Sequence, residues 1–283
     1  MHSLPTLGMM RPSPVHAGRS SRRVLSAAAT AVVGFTFMQS TTVPVAAGAT
    51  QGQCYSLPSA QARQGGALVA WNGSLLLVCG SFLPHCGPQL PVHLDDIWST
   101  TAGAATPWRR FAKLGRQNAR THHAAAVLGD TLYILGGYGG PNHSAPVPLD
   151  SVVSLVLAGP DAPPRQHRPL PTGPTTNLGV TATDARPGVL FVAGGFVYPR
   201  IGAKVAQGET TAAVFAFRPA TDTLYGDDAW SPLQPMRTAR AAFGFAALPI
   251  GTNALRSAEM VRLVAAGGFS RSRTTGEFTP LSS

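Results

Sequence analysis

The sequence lacks the features that mark several protein classes. It has 283 residues but only three cysteines and 12% charged residues. Three cysteines are too few for a fold built on disulfides, and the 44% hydrophobic content excludes a wholly disordered chain. No uninterrupted apolar run reaches the roughly 18 residues of a membrane span, which excludes a polytopic membrane protein. What remains is one globular domain of roughly 230 residues behind an N-terminal leader.

Positive charge is scattered along the chain rather than concentrated. The formal net charge is +10, yet lysine occurs only at Lys113 and Lys204, and the other basic residues are arginine. The arginines form no run longer than Arg109-Arg110, whereas nucleic-acid-binding proteins usually have a basic face or run with interleaved aromatic residues. The sequence therefore predicts a solvated basic surface and no nucleic-acid partner.

Residues 1–49 have the parts of a targeting segment. A basic stretch that ends at Arg23 is followed by the apolar, uncharged residues 24–38 and then by Ala47-Gly48-Ala49. This order predicts a secretory signal peptide that is cleaved after Ala49, and hence a secreted or cell-surface protein. Two alternatives remain: an uncleaved signal anchor, which would be the chain's one contact with a membrane, and an organelle transit peptide.

Two further features agree with secretion. Asn72-Gly73-Ser74 and Asn142-His143-Ser144 are glycosylation acceptors in turn-like sequence, which makes Asn72 and Asn142 candidate sites. Cys79 and Cys86 are close enough along the chain to form a disulfide in an oxidising compartment. The alternative is that Cys79 is a buried residue of an apolar strand.

One short pattern occurs four times: Leu, three mostly apolar residues, Gly, then Gly or Ser, then an aromatic residue. The four copies are residues 76–82, 132–138, 190–196 and 263–269, with glycines Gly80, Gly136, Gly194 and Gly267 in matching places. An arginine near the start and a late tryptophan also recur. The pattern predicts four repeat units at approximately 60–115, 116–173, 174–236 and 237–283.

Each unit predicts four short strands joined by turns, with no useful helical periodicity outside the leader. A small sheet that is apolar on both faces must stack against its neighbours. The glycine pair would end the second strand, where a missing side chain permits positive φ or close backbone approach. The aromatic residue after the pair and the late tryptophan are large enough to fill gaps between sheets.

This order of features resembles that of kelch repeats. The resemblance is carried by the arginine at the unit start, the strand end Leu132–Gly137, the strand Leu94–Trp98 and the late Trp108 and Trp230, and it covers roughly residues 60–283. It implies an all-β fold, a β-propeller of four-stranded blades. Kelch propellers usually have six or seven blades, whereas the repeats predict about four. An incomplete ring, a ring closed by residues 52–58 and a ring completed by a homodimer remain as alternatives.

Three arginines are candidate ligand-binding residues. Arg63, Arg120 and Arg240 fall at corresponding places near the starts of their units. In a propeller, loops at that end gather around the central channel, where guanidinium groups would bind carboxylates of an anionic ligand. The alternative is that each arginine pairs locally, for example with Asp95 or Asp150.

The sequence contains no recognisable catalytic or metal motif. His122 and His123 are adjacent in a predicted strand and would point to opposite faces, and no spacing fits a closed zinc site, so we expect neither a metal nor a cofactor. No nucleophile elbow or phosphate loop is present. The expected function is therefore a non-catalytic kelch-repeat module that binds a protein or a glycan.

The resemblance also implies an enzymatic alternative that acts on a sugar, because kelch-like propellers include sialic acid mutarotases and copper-radical sugar oxidases. For an oxidase, Cys79, Tyr133 and His122 would be the candidate group. For a mutarotase, Arg120 would be the residue to test.

Overall fold

The computed structural model describes residues 63–82, 92–101, 108–139, 147–183, 188–201, 204–205, 208–222, 229–252, 259–272 and 275–281. The leader (1–49), residues 52–58, Cys86 and Asn142 lie outside these ranges, so the interpretations that rest on them remain predictions. Within the described ranges, no helix combines the length and the apolar character that a membrane crossing needs.

The described secondary structure is almost entirely β, in four successive units. The first unit contains β1 (Ala67–Trp71), β2 (Ser74–Phe82), β3 (Val92–Thr101) and β4 (Arg109–Lys113), followed by a 3-10 turn at Arg116–Asn118. The second contains β5 (Arg120–Thr121), β6 (Ala124–Leu128), β7 (Thr131–Leu135), β8 (Tyr138–Gly139), β9 (Val147–Pro148), β10 (Val152–Val156) and β11 (Arg165–Gln166). The third contains β12 (Thr175–Thr176), β13 (Gly179–Thr183), β14 (Val189–Ala193), β15 (Phe196–Val197), β16 (Arg200–Ile201), β17 (Lys204–Val205), β18 (Glu209–Thr210), β19 (Val214–Phe217), a 3-10 turn at Pro219–Thr221 and β20 (Trp230–Leu233). The fourth contains β21 (Gly244–Thr252), β22 (Glu259–Ala266), β23 (Phe269–Arg271) and β24 (Phe278–Pro280).

Three antiparallel four-stranded sheets and one hairpin form the main layers. Sheet I has the order β1-β2-β3-β4, sheet II β6-β7-β10-β11 and sheet III β13-β14-β19-β20, while β21 and β22 form hairpin IV. Strand β6 packs against both β1 and β13, and β13 packs in turn against β21. The chain is therefore an all-β propeller, as the repeats predicted.

The core lies between the stacked sheets, and strand β7 shows how. Leu132 and Ile134 face sheet I, whereas Tyr133 and Leu135 face sheet III. Successive residues of a strand point to opposite faces, so an apolar strand buries both of its sides when a sheet covers each face. The late Trp230 of unit three packs in this layer, with its ring centroid 4.5 Å from that of Phe217.

Beyond the position of each glycine pair, units two to four form smaller sheets. These have the orders β5-β8-β9, β12-β15-β18 and β23-β24, and β16 and β17 form a further hairpin. The structure has about five blades, so the prediction of about four was wrong. That prediction counted one blade for each glycine pair, whereas units two to four also carry strands outside their main sheets.

Backbone conformation also corrects the alignment of the first unit. Both residues of the pair have positive φ in the later units, for example 61° and 96° at Gly136 and Gly137. In the first unit the same conformation occurs at Cys79 (49°) and Gly80 (110°). Cys79 is therefore the counterpart of Gly136. The sequence pattern, which aligned Gly80 with Gly136, was wrong by one residue.

Candidate functional site

The three candidate arginines occupy equivalent positions at the end of the main sheets where the small sheets lie. Each donates a hydrogen bond from Nη1 to the carbonyl of the first residue at the glycine-pair position. The distances are 2.9 Å from Arg63 to Cys79, 3.3 Å from Arg120 to Gly136 and 3.0 Å from Arg240 to Gly267. The arginines therefore hold the turn at which each unit passes from its main sheet to the strands beyond.

Burial favours local pairing of Arg63 and Arg120 over binding of a ligand. Arg120 is 1% exposed and also donates to the carbonyls of Asn118 and Ser151. The Arg63 side chain is 2% exposed and forms an ion pair with Asp96 at 2.9 Å. Burial lowers the pKa of Arg120 to about 10. The alternative of local pairing thus fits the geometry, with Asp96 in place of Asp95 or Asp150 as the partner of Arg63.

A row of backbone hydrogen bonds joins the four units at this same end. The N–H of His122 donates to the carbonyl of Gly65 at 2.7 Å, Asn177 to His122 at 2.8 Å and Ala242 to Asn177 at 2.9 Å. All four residues have a left-handed backbone conformation, with φ of 62° at Gly65, 54° at His122, 53° at Asn177 and 51° at Ala242. We call these four residues the left-handed row. A left-handed conformation costs a non-glycine residue about 1–2 kcal/mol, so the contacts between units hold it in place.

Three partly exposed rings lie beside this row and form what we call the aromatic cluster: His122, Tyr138 and Tyr198. The ring centroids are 6.0 Å apart for His122 and Tyr138 and 5.7 Å apart for Tyr138 and Tyr198. The two tyrosine hydroxyls are hydrogen-bonded to each other. Burial is the main cause that raises the pKa of Tyr138 and lowers the pKa of His122. His122 and Tyr138 are therefore uncharged near neutral pH, and the cluster offers ring surface together with polar ring and hydroxyl atoms.

A second aromatic group lies on the small sheet of unit four. Phe278 is 60% exposed, and its ring centroid is 5.3 Å from that of Phe269. The Arg271 guanidinium lies 5.5 Å from the centre of the Phe278 ring. Sequence reasoning singled out Tyr138 and Phe269 as aromatics after a glycine pair, but it missed Tyr198 and Phe278, which lie outside the repeated pattern.

A polar triad lies buried between sheets II and III. His167 Nδ1 is 2.5 Å from Asp222 Oδ2, and His167 Nε2 is 2.7 Å from Ser154 Oγ. This connectivity is that of a serine nucleophile with its base and orienting acid. Ser154 is only 6% exposed, however, and the side chains of His167 and Asp222 are 2% and 5% exposed. A substrate therefore cannot reach the Ser154 hydroxyl. We interpret the triad as a set of buried hydrogen bonds that holds two units together.

The sequence did not reveal the triad, because Ser154 lies in a strand of unit two, His167 follows a strand of that unit, and Asp222 follows a 3-10 turn of unit three. Burial lowers the pKa of His167, although the neighbouring Asp222 opposes that shift. In the neutral imidazole, Nδ1–H donates a hydrogen bond to Asp222, and Nε2 accepts a hydrogen bond from the Ser154 hydroxyl. All three side chains are then satisfied within the core.

The residues suggested for a sugar oxidase do not come together. Cys79 packs between sheets I and II, whereas Tyr133 packs between sheets II and III. Cys79 is fully buried, and burial raises the pKa of its thiol to about 12. Its pairing with Cys86 remains a prediction.

Among the residues the structure describes, no group of three or more His, Cys, Asp or Glu side chains could hold a metal ion. Asn72 is exposed at the turn between β1 and β2, with φ of 43°. An acceptor asparagine on an exposed turn is accessible to glycosylation.

Comparison with known proteins agrees with the architecture. A protein-family model described as the kelch motif matches residues 119–155, which span β5 to most of β10. No curated protein matches the chain. The motif match and the stacked small antiparallel sheets point to the same protein family.

Proposed function

We propose that this chain, a kelch-repeat β-propeller protein, is a protein-interaction module that binds its partner at the end carrying the small sheets. The observation that carries the proposal is the aromatic cluster. Its three rings come from two units and lie partly exposed in mutual contact. A ring held by its neighbours loses little conformational freedom when a partner packs against it.

The chemistry of this end suits a protein surface. Tyrosine, phenylalanine and arginine are enriched at the centres of protein interfaces, where a few such side chains supply most of the binding energy. Arg271 beside the exposed Phe278 adds a positive charge, and residues 50–283, which follow the proposed signal peptide, carry a net charge of +6. We therefore propose an acidic segment of a partner protein as the ligand.

The proposal is tested by panning a displayed library of random peptides against the full chain. We expect enriched peptides to be rich in acidic residues and to bind Tyr138→Ala and Tyr198→Ala at least about tenfold more weakly, roughly 1.4 kcal/mol. Val156→Ala is the matched control, because Val156 is 50% exposed at the end of β10, away from the aromatic cluster. Thermal unfolding of each variant checks that the fold is retained.

Two outcomes would overturn this assignment. Peptides that bind both tyrosine variants as tightly as the unaltered chain would place binding elsewhere. A glycan-array signal that depends on the same tyrosines, with no peptide enriched, would replace the protein ligand by a glycan.

We also propose a secreted or cell-surface location. The support is the signal-like order of residues 1–49 and the exposed acceptor Asn72. Expression in a secretory eukaryotic cell should give protein that starts at Thr50 and carries a glycan that Asn72→Gln removes. Recovery in an organelle fraction, unglycosylated and with a different N-terminus, would contradict this location.

A further inference from the structure

The interfaces between successive units follow one pattern. We call the face of a main sheet that packs toward the preceding unit its near face, and the opposite one its far face. In β6, Ala125 and Val127 belong to the near face, packed with sheet I, while Ala126 and Leu128 belong to the far face, packed with sheet III. A near face and a far face therefore meet wherever two units are in contact.

In the part of the chain that the structure describes, the near face of sheet I is apolar and exposed. The left-handed row equates Gly65 with His122, so Leu68 and Ala70 of β1 correspond to Ala125 and Val127 of β6. Leu68 is 38% exposed. Its cross-strand neighbour Leu77 is only partly buried.

The far face of hairpin IV is uncovered as well. The equivalence of Ala242 with His122 places Leu248 of β21 at the position of Leu128. Val264 of β22 is at the position of Tyr133, because it pairs with Ala246 as Tyr133 pairs with Ala126. Leu248 is 48% exposed and Val264 is 37% exposed, whereas Tyr133 is only 7% exposed under sheet III. Among the residues that the structure describes, one exposed face of each type thus lies at either end of the series of four units.

The glycine pairs give independent support. A Cβ at Gly136 would clash with the carbonyl of Thr175 in the next unit, and a Cβ at Gly194 would lie 2.5 Å from the carbonyl of Arg240. Gly267 has the same conformation, with φ of 70°, yet no atom lies within 4 Å of its Cβ position. The space that the next unit fills at Gly136 and Gly194 is therefore open at hairpin IV.

We propose that the far face of hairpin IV binds the near face of sheet I in a second copy of the chain, so that two chains close one ring head to tail. Each copy supplies one face of each type, and two identical contacts satisfy both. The contact continues an interface that the chain already makes three times. It also continues the left-handed row, because the Ala242 carbonyl would accept a hydrogen bond from Gly65 N–H of the second copy.

Light scattering on a sizing column, with the full chain over a range of concentrations, tests this assembly. We expect a discrete dimer that dissociates on dilution. Leu68→Glu and Leu248→Glu should each be monomeric, since a charge at an apolar interface opposes its burial. Both side chains are exposed in one copy, so neither change should unfold it. Val156→Glu, at a comparably exposed valine outside both faces, should remain dimeric.

Mixing the two blocked variants makes the test specific. The Leu68→Glu chain keeps an intact hairpin IV and the Leu248→Glu chain keeps an intact sheet I, so the mixture should form a dimer through one remaining contact. Gly267→Ala should weaken the dimer at least about tenfold without loss of the folded far-ultraviolet circular dichroism spectrum. Tyr138→Ala and Tyr198→Ala should leave the dimer intact, which separates this proposal from the proposed peptide site.

Several results would overturn the proposal. A wild-type chain that stays monomeric at every concentration, or that forms an open-ended series of assemblies, does not close a two-chain ring. A dimer that tolerates both glutamate substitutions uses another surface. A dimer lost only in Leu248→Glu would pair hairpin IV with itself.

Discussion

Cys79 in the first unit and Gly136 in the second hold the same place in the fold. The carbonyl of Cys79 accepts a hydrogen bond from Arg63 Nη1, and that of Gly136 accepts one from Arg120 Nη1. Both residues are left-handed, with φ of 49° and 61°. The turn thus demands a conformation rather than a particular residue, and glycine is required only where the next unit approaches closely.

Gly136→Ala should therefore destabilise the fold far more than the addition of one methyl group suggests. Its Cβ would clash with the Thr175 carbonyl, and we expect a loss of more than about 2 kcal/mol in the free energy of unfolding. Gly129→Ala is the matched control, because Gly129 has φ of 57° and no atom within 4 Å of its Cβ position. It should lose only about 1 kcal/mol from backbone strain. Urea unfolding measures both, and equal losses would contradict the close approach.

Arg120→Met should destabilise the fold rather than abolish binding alone. Arg120 is 1% exposed, and its guanidinium donates hydrogen bonds to the carbonyls of Asn118, Gly136 and Ser151. The Ser151 carbonyl keeps the Gly136 N–H as a donor, whereas the carbonyls of Asn118 and Gly136 lose the arginine. A buried acceptor without a donor costs about 1–3 kcal/mol, so we expect a loss of about 3 kcal/mol. Arg110→Met, at an exposed arginine of β4, should change stability by less than about 0.5 kcal/mol. Unchanged stability in Arg120→Met would restore the ligand-binding interpretation.

His123 should make the protein less stable in mild acid. Burial, with Arg120 nearby, lowers its pKa to about 3 from the ordinary 6.5. Since the folded state resists protonation, stability is full above about pH 6.5 and falls by up to about 1.4 kcal/mol per unit below it. Leu178 and Phe243 hold the corresponding positions in units three and four, so His123→Leu should fit and flatten this dependence.

Unfolding in urea at pH 5 and pH 7.5 measures the effect of His123→Leu. The two other histidines with lowered pKa values, His122 and His167, remain in the variant and keep part of the slope. A pH dependence identical to that of the unaltered chain would show that His123 titrates normally.

Ser154 should not react with a serine-directed fluorophosphonate probe in the folded protein. Its hydroxyl contacts His167 but is closed off from solvent. Asp222→Asn should instead lower the free energy of unfolding by about 1–3 kcal/mol, because the buried imidazole loses a charged acceptor. Labelling that disappears in Ser154→Ala would contradict a purely structural role.

The Cys79 thiol should be inert to iodoacetamide at pH 8 in the native protein and reactive in urea. Only the thiolate reacts, and burial raises the thiol pKa to about 12. Peptide mass mapping without reductant also decides the predicted Cys79–Cys86 disulfide. Rapid native alkylation of Cys79 would contradict its burial between sheets I and II.

Repetition made the architecture readable from the sequence. Leu132–Leu135 alternates between two apolar faces, and the glycines that follow end the strand, so strands and stacked sheets could be predicted. The site could not be read in the same way. Tyr198 and Tyr138 lie 60 positions apart, and Ser154, His167 and Asp222 follow no motif, because side chains from different units meet only after the sheets have stacked.

The sequence by itself determined the all-β repeat architecture, the unit-start arginines and the absence of recognisable catalytic motifs, because these follow from local spacing and residue type. Only the tertiary structure decided that Arg120 is buried, that Cys79 replaces a glycine, and that the units form about five blades. It alone also left Leu68 and Leu248 uncovered at opposite ends. Burial and close approach depend on which sheet packs against which, and local sequence does not encode that choice.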